Sequence, residues 1–155
     1  MWPWLIVACL VVLAVVGIVL WRPLRSFSRE VQSERARELF KLQRERLELQ
    51  FLKAAAGTGK PRGLLWKDCQ WDSQVEFVRE KHNGQIAALV AVTIQFEAIA
   101  GSDMEGLPAV GNLRNASAVF FYHRGHWQTV GKAVFNMNPN EAVEHFKNQY
   151  ERLHG

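Results

Sequence analysis

Two histidines near the end of the sequence have the spacing of a paired site. His123 and His126 flank Arg124-Gly125, a dipeptide suited to a tight hairpin turn, so their imidazoles could face each other across two strands. A zinc site usually needs three or four protein ligands, and no other histidine or cysteine lies at a fixed spacing from this pair. We therefore interpret both as exposed turn residues and predict no metal site.

Cys69 is the only cysteine after the first 21 residues, so this part of the chain cannot form an internal disulfide. It lies between Trp66 and Trp71, and its neighbours Lys67 and Asp68 carry opposite charges. A reactive thiol needs an electropositive, accessible setting, so this pattern predicts a buried and inert cysteine. No nucleophile elbow accompanies any serine, and we predict neither a catalytic residue nor a cofactor.

A long loop, residues 101–112, is the best candidate for a functional segment. It contains three glycines and is long for a connection between strands, and such loops are often functional. Its candidate binding residues are Asp103, Met104, Glu105 and Leu107. The alternative is that its apolar side chains fasten the loop to its own domain. The ligand spacing of a calcium-binding hand is absent.

The elements that position these residues begin with an uncharged stretch, residues 2–21. Twenty helical residues rise about 30 Å, which matches the hydrocarbon core of a bilayer. Trp2, Trp4 and Trp21 lie at its ends, where indole rings favour the membrane–water interface. The sequence therefore predicts a transmembrane anchor, residues 1–21. A cleaved signal peptide is the alternative, but it would need a positively charged start and a small-residue cleavage site.

The flanking charge predicts the orientation of this anchor. Arg22, Arg25 and Arg29 follow the apolar stretch, and no arginine or lysine precedes it. The positive-inside rule then places residues 22–155 in the cytoplasm. The triplet Asn115-Ala116-Ser117 fits an N-glycosylation acceptor and speaks for the extracytoplasmic alternative.

The net charge of +4 belongs to one segment of the chain. Residues 22–53 hold nine Lys and Arg against five Glu, whereas residues 54–155 hold ten of each sign. A basic segment beside a membrane favours anionic lipid headgroups. Because the remaining residues have no excess charge, we predict no binding to nucleic acid.

A charged helical stalk, residues 22–56, is predicted next, with Pro23 interrupting the chain at its start and a Gly/Pro linker, residues 57–63, ending it. At 100° per residue its apolar side chains form two opposite faces. One face contains Phe27, Val31, Leu42, Leu49 and Leu52, and the other contains Ala36, Phe40, Leu47 and Phe51. A helix with two apolar faces has two surfaces to bury. Either both pack on the folded domain as one wide apolar face, or one packs on the domain and the other on a second copy of the stalk.

The remaining residues, 64–155, predict an α+β domain. Alternating apolar residues indicate an antiparallel meander of five strands at 64–71, 75–80, 85–98, 116–122 and 126–136. A final helix should begin at the capping box of Asn138 and Glu141 and extend to Leu153, covering one side of the sheet. If the curved sheet encloses a pocket, the expected lining residues are Phe77, Phe96, Phe121 and Trp127.

The last hairpin, Tyr122–Val130, resembles the closing strands of nuclear transport factor two-like domains, and it also suits a cystatin-like sheet wrapped on a helix. Both resemblances imply a curved antiparallel sheet around a helix. The helix predicted after the last strand departs from the commoner form of the former family, and no catalytic residue carries over.

Two functions follow as hypotheses. The first is a membrane-anchored protein whose domain binds a protein partner, or a second copy, and supports assembly of a complex. The second is a tethered pocket domain, enzymatic or not, that binds a small apolar ligand. A lipid-sensing role of the basic stalk is a third hypothesis.

Overall fold

The structure is a computed structural model, and it describes residues 2–154. The chain divides into two compact units, Met1–Arg35 and Ala36–Gly155. This division falls inside the predicted stalk, because the residues from Ala36 onwards pack against the sheet.

One helix, α1 (Pro3–Gly57), supplies residues to both units. The predicted interruption at Pro23 is wrong, since Pro23 lies inside α1. Proline there removes one helical hydrogen bond, the one that would reach the carbonyl of Val19. The uninterrupted run of good helix formers from Ser28 to Ala56 continues the helix on the other side.

The α+β class and the antiparallel sheet are confirmed, although the sheet has six strands instead of five. The strands are β1 (Leu64–Glu80), β2 (Ile86–Ala98), β3 (Arg114–His123), β4 (His126–Gln128), β5 (Ala133–Phe135) and β6 (Tyr150–Arg152). Their spatial order is β4-β3-β2-β1-β6, and β5 pairs with residues 116–118 of β3, whereas β4 pairs with residues 121–123. A short 3₁₀ helix, Pro108–Gly111, lies in the loop before β3.

The first two predicted strands are a single strand, β1. Two irregularities interrupt its pairing with β2, between Trp66 and Asp68 and between Trp71 and Val75. The first inserts one extra residue and the second inserts two, so the simple alternation of inward and outward side chains is lost. The strand nevertheless continues, and its core-facing residues are Trp66, Cys69, Trp71, Val75 and Phe77.

The fifth predicted strand is divided. Residues 126–128 form β4 and residues 133–135 form β5, and the segment between them includes Gly131 at a φ of +74°. Two strand pieces therefore pair with different parts of β3.

The C-terminal helix is much shorter than predicted. α2 (Pro139–His145) begins at the expected capping box, in which Asn138 accepts from the Glu141 amide and the Glu141 carboxylate accepts from the Asn138 amide, each at 2.9 Å. The chain then leaves the helix, and β6 pairs with residues 78–80 of β1. This edge of β1 offers free backbone groups, and Leu153 donates to the Phe77 carbonyl there at 2.9 Å. Tertiary pairing thus overrides the helical periodicity.

The sheet of the second unit has a different helix on each face. Residues 36–57 of α1 pack on one face, against alternate residues of β2 and β3 such as Val90, Ile94 and Phe120. α2 covers part of the other face, against Val78, Ala87 and Leu89. The predicted alternation along β2 is therefore confirmed, because Val90, Val92, Ile94 and Phe96 face one helix.

Candidate functional site

Aromatic side chains fill the space between α1 and the sheet. Phe40 lies at the centre, with its ring centroid 5.5 Å from that of Phe77, 5.5 Å from that of Phe120 and 5.0 Å from that of Trp127. The indole N–H of Trp127 donates to the carbonyl oxygen of Ala36 at 2.7 Å. Since both groups are buried, this bond ties β4 to α1 and leaves neither polar atom without a partner.

The structure places three of the four residues predicted to line a pocket on one face of the sheet, but it brings only two of them into contact. The ring centroids of Phe77 and Trp127 are 6.1 Å apart, whereas Phe96 pairs with Trp66, near the other end of β1. Phe77, Phe96 and Trp127 lie on the α1 side of the sheet, whereas Phe121 lies on the opposite side with the α2 cluster. The space that a ligand would need beside Phe77 and Trp127 is occupied by Phe40.

The outer face of α1 in the second unit presents two exposed leucines. Leu42 is 82% exposed and Leu49 is 72% exposed, whereas Phe40, Leu47 and Phe51 on the inner face are almost completely buried. Seven residues span about two helical turns, so the two leucines point within about 20° of the same direction. Of the two apolar faces predicted for the stalk, one is thus the core of the unit and the other faces solvent.

Charged side chains border these leucines on both sides. At about 100° per residue, Glu38 and Glu45 lie on one flank and Arg46 and Lys53 lie on the other. All four are exposed. We call the surface formed by Leu42, Leu49 and these four charged residues the outer face of α1.

The N-terminal part of α1 carries the residues predicted as a membrane anchor. It is long and apolar enough to cross a membrane, and none of its most apolar window is buried. Trp2, Trp4 and Trp21 are 75%, 83% and 66% exposed. The guanidinium carbon of Arg25 lies 5.8 Å from the centroid of the Trp21 ring, a cation–π contact one helical turn along. Arg22 and Arg29 are also exposed.

The candidate loop is fastened to the start of β1. Ser102 donates its hydroxyl to the Gly63 carbonyl at 3.2 Å, and Ile99 donates its amide to the same oxygen at 2.9 Å. Met104 is half-buried beside Gly63, and a Glu105 carboxylate oxygen accepts from the Gly101 amide at 2.7 Å. Asp103 and Leu107 stay exposed. The contacts within this loop therefore favour its structural role.

Cys69 is half-buried, and the two histidines lie at the turn between β3 and β4. Burial, followed by the negative charge of Asp68, raises the pKa of the Cys69 thiol to about 11, which leaves it protonated at neutral pH. His123 and His126 are paired residues across β3 and β4, and both are exposed. Within residues 2–154, no group of three or more His, Cys, Asp or Glu side chains could hold a metal ion.

Sequence reasoning missed two adjoining clefts beside the linker that follows α1. They measure about 460 Å³ and about 200 Å³, and they share Pro61 and Phe135. The larger is walled by Trp66 and Ala133, and the smaller by Leu64 and Phe96. Gly131 was the available signal, because a glycine in a strand often marks a close backbone approach.

A third cleft, of about 560 Å³, is polar and lies on the sheet face opposite α1. Its lining includes Asp72, Thr93, Asn115 and Glu141. The backbone amide of Gln74, the Ser73 hydroxyl and the Ser73 amide lower the pKa of Asp72 by hydrogen bonding to its carboxylate. Glu141 is held by the capping box and Asn115 accepts from Thr93, so these polar groups serve the local structure.

Comparison of the chain with family models, with curated proteins and with solved structures found no match. The resemblance of the last hairpin to nuclear transport factor two-like or cystatin-like domains therefore stays a prediction.

Proposed function

We propose that this protein is a single-pass membrane protein whose α+β unit self-associates through the outer face of α1 and so supports assembly of a complex at the membrane. The observation that carries the proposal is the exposure of Leu42 and Leu49 at 82% and 72% on a helix whose other face is core. Burying such side chains against a partner is favourable by about 1.5–3 kcal/mol each.

Membrane anchoring rests on the N-terminal part of α1. Its apolar residues have the length of a span, and its interfacial tryptophans are followed by Arg22, Arg25 and Arg29. These arginines lead us to propose a cytoplasmic unit and contact with anionic headgroups. A membrane-impermeant maleimide should label a Gln50→Cys variant, in a Cys9→Ser/Cys69→Ser background, only after the cells are permeabilised, because Gln50 is exposed and lies outside the proposed interface. Labelling of intact cells would support the extracytoplasmic alternative.

The charges on the outer face of α1 favour a second copy as the partner. Two copies of the second unit that are related by a two-fold axis parallel to α1 have parallel α1 helices. In such a pair the acidic flank of one helix, Glu38 and Glu45, meets the basic flank of the other, Arg46 and Lys53. Opposite charges that border an apolar seam specify the partner and its orientation, as they do between paired helices elsewhere. Anchoring also raises the effective concentration of the copies.

The test is disulfide crosslinking of the full chain in membranes. Leu49→Cys, in a Cys9→Ser/Cys69→Ser background, should form a disulfide dimer on mild oxidation. Gln50→Cys is the matched control, because Gln50 is exposed but lies about 100° further round the helix. Equal dimer yield from both positions would contradict the proposal, as would a crosslink to another protein in place of a second copy.

Charge reversal tests the same interface independently. Glu45→Arg should lower the dimer yield, and Glu45→Arg/Arg46→Glu should restore part of it, because the second change returns opposite charges to facing flanks. The exposed positions of both residues leave the fold unaffected, within about 0.5 kcal/mol. If the dimer yield is the same for the single variant, the double variant and the unaltered protein, the parallel arrangement is excluded.

A further inference from the structure

The two adjoining clefts beside the linker form one apolar groove with a basic rim, which we call the linker groove. Its apolar lining is Pro61, Leu64, Trp66, Phe96, Ala133 and Phe135. Lys60 and Lys132 line the larger cleft and Arg114 lines the smaller. No acidic residue lines either cleft within residues 2–154.

The walls of the linker groove are fixed by contacts among its own aromatic rings. The ring centroids of Trp66 and Phe96 are 5.0 Å apart, and Phe135 lies 6.2 Å from Trp66 and 6.1 Å from Phe96. The indole N–H of Trp66 donates to the Lys60 carbonyl at 2.7 Å, which orients the ring and joins the linker to β1. The groove is therefore formed before a ligand arrives, and such preorganisation favours binding.

The positive charge at the rim has no partner within the unit. Lys60, Lys132 and Arg114 are all exposed, and none of the three forms an ion pair with any residue among 2–154. An anion placed at the rim would therefore gain attraction without displacing an internal carboxylate.

We propose that the linker groove binds a long-chain fatty acid, with its carboxylate at Lys60 and Lys132 and its chain along Trp66 and Phe135. The Trp66 indole donates to the Lys60 carbonyl and the Thr58 hydroxyl donates to the Ala55 carbonyl, so Asn136 is the remaining uncharged polar side chain among the described lining residues. A peptide would bury most of its amide groups against the apolar lining without partners, which costs free energy, whereas an acyl chain carries no such groups. The combined volume, about 660 Å³ from 460 and 200 Å³, lies within the usual range of ligand pockets, about 300–1,000 Å³. This site is separate from the outer face of α1, so either proposal can fail alone.

The experiment uses the full chain in phosphatidylcholine nanodiscs and a diazirine-bearing palmitate as the photoreactive probe. Mass spectrometry of the labelled peptides should find adducts at Trp66 and Phe135. Palmitate should compete for this labelling at least tenfold better than methyl palmitate, which has the same chain without the charge. Equal competition by the two would overturn recognition of the carboxylate, and adducts confined to residues 4–21 would overturn the site.

Two pairs of variants identify the residues. Lys60→Gln/Lys132→Gln should weaken labelling about tenfold, and the matched control Lys41→Gln/Lys67→Gln, exposed lysines outside the groove, should leave it unchanged. Ala133→Trp should block the groove, whereas Val130→Trp, at a position that is 64% exposed, should not. Because the lysine variants change only exposed side chains, they decide the question even if Ala133→Trp fails to fold. Equal loss in both lysine pairs would contradict the proposal.

Discussion

The Cys69 thiol shows how the surroundings of one residue decide its chemistry. It belongs to the α1 side of β1, packs with the core cluster and has Asp68 beside it. Desolvation disfavours the thiolate, and the neighbouring carboxylate adds to this effect, so the pKa rises from 9.0 to about 11. The inert role predicted from the sequence agrees with this direction, since Lys67 does not offset the burial.

Alkylation of Cys69 should therefore be slow at mild pH. In a Cys9→Ser variant at pH 8, iodoacetamide should react about 100-fold more slowly than with an unfolded chain, because the thiolate fraction falls by about that factor. The rate should climb until about pH 11, where the folded thiol ionises. The neutral thiol contributes stability below pH 9.0, and this contribution is lost as the pH rises towards 11. Rapid alkylation at pH 8 without unfolding would contradict the burial of Cys69.

Among the elements, α1 and the segment between β4 and β5 come into close contact at Gly131. A Cβ atom added there would lie 2.3 Å from the backbone nitrogen of Ala55, which is shorter than any contact that a Cβ atom makes with a backbone atom. Gly131 also has a φ of +74°, which disfavours residues other than glycine. The segment between β4 and β5 thus reaches the last turn of α1 only because residue 131 has no side chain.

Gly131→Ala should lower the free energy of unfolding by about 3 kcal/mol or more, combining the left-handed backbone with a clash against α1. Gly84→Ala is the matched control, since Gly84 has a φ of +73° and open space around it. It should cost about 1–2 kcal/mol. Thermal unfolding of the full chain in nanodiscs measures both, and equal losses would mean that α1 can move away from residue 131.

Some elements could be predicted from the sequence pattern and others could not. The face of Ala36, Phe40, Leu47 and Phe51 was predicted correctly, because a 3.6-residue period states directly which side of a helix is apolar. The continuity of β1 was missed because its bulges at residues 67 and 72–74 break the two-residue period. Strand β6 was missed because residues 146–153 contain no helix breaker, and only the free edge of β1 draws them away.

The candidate sites could be predicted only in part, because they combine residues that are far apart in the sequence. The sequence predicted the exposed leucines of α1 as a second face, yet it could not say which of the two faces the sheet would cover. The linker groove depends on Pro61, Phe96 and Phe135, which only the fold brings together. The prediction that Phe121 lines the pocket is wrong, because this side chain lies on the opposite face of the sheet with the α2 cluster. The alternation within a strand divides its side chains between two faces, but it does not say which face a pocket would use.

At the scale of the whole molecule, α1 is the element that the chain depends on. Its first residues are apolar and exposed, as a membrane-spanning segment requires, and from Ala36 onwards one of its faces belongs to the core of the second unit. Removing the helix would therefore take away both the proposed anchor and the support of the sheet. The proposed function requires that residues 2–21 span a bilayer.

Extraction of membranes with alkaline carbonate tests this claim most directly. The full chain should remain in the membrane pellet, since only an integral protein resists this treatment, and its intact mass should include residues 2–21. A Val12→Arg/Val16→Arg variant is the control and should be released, because each arginine at the centre of a span costs about 2.5–3.5 kcal/mol. Release of the unaltered protein into the supernatant, or a mature chain that lacks the first 21 residues, would contradict a membrane-spanning anchor.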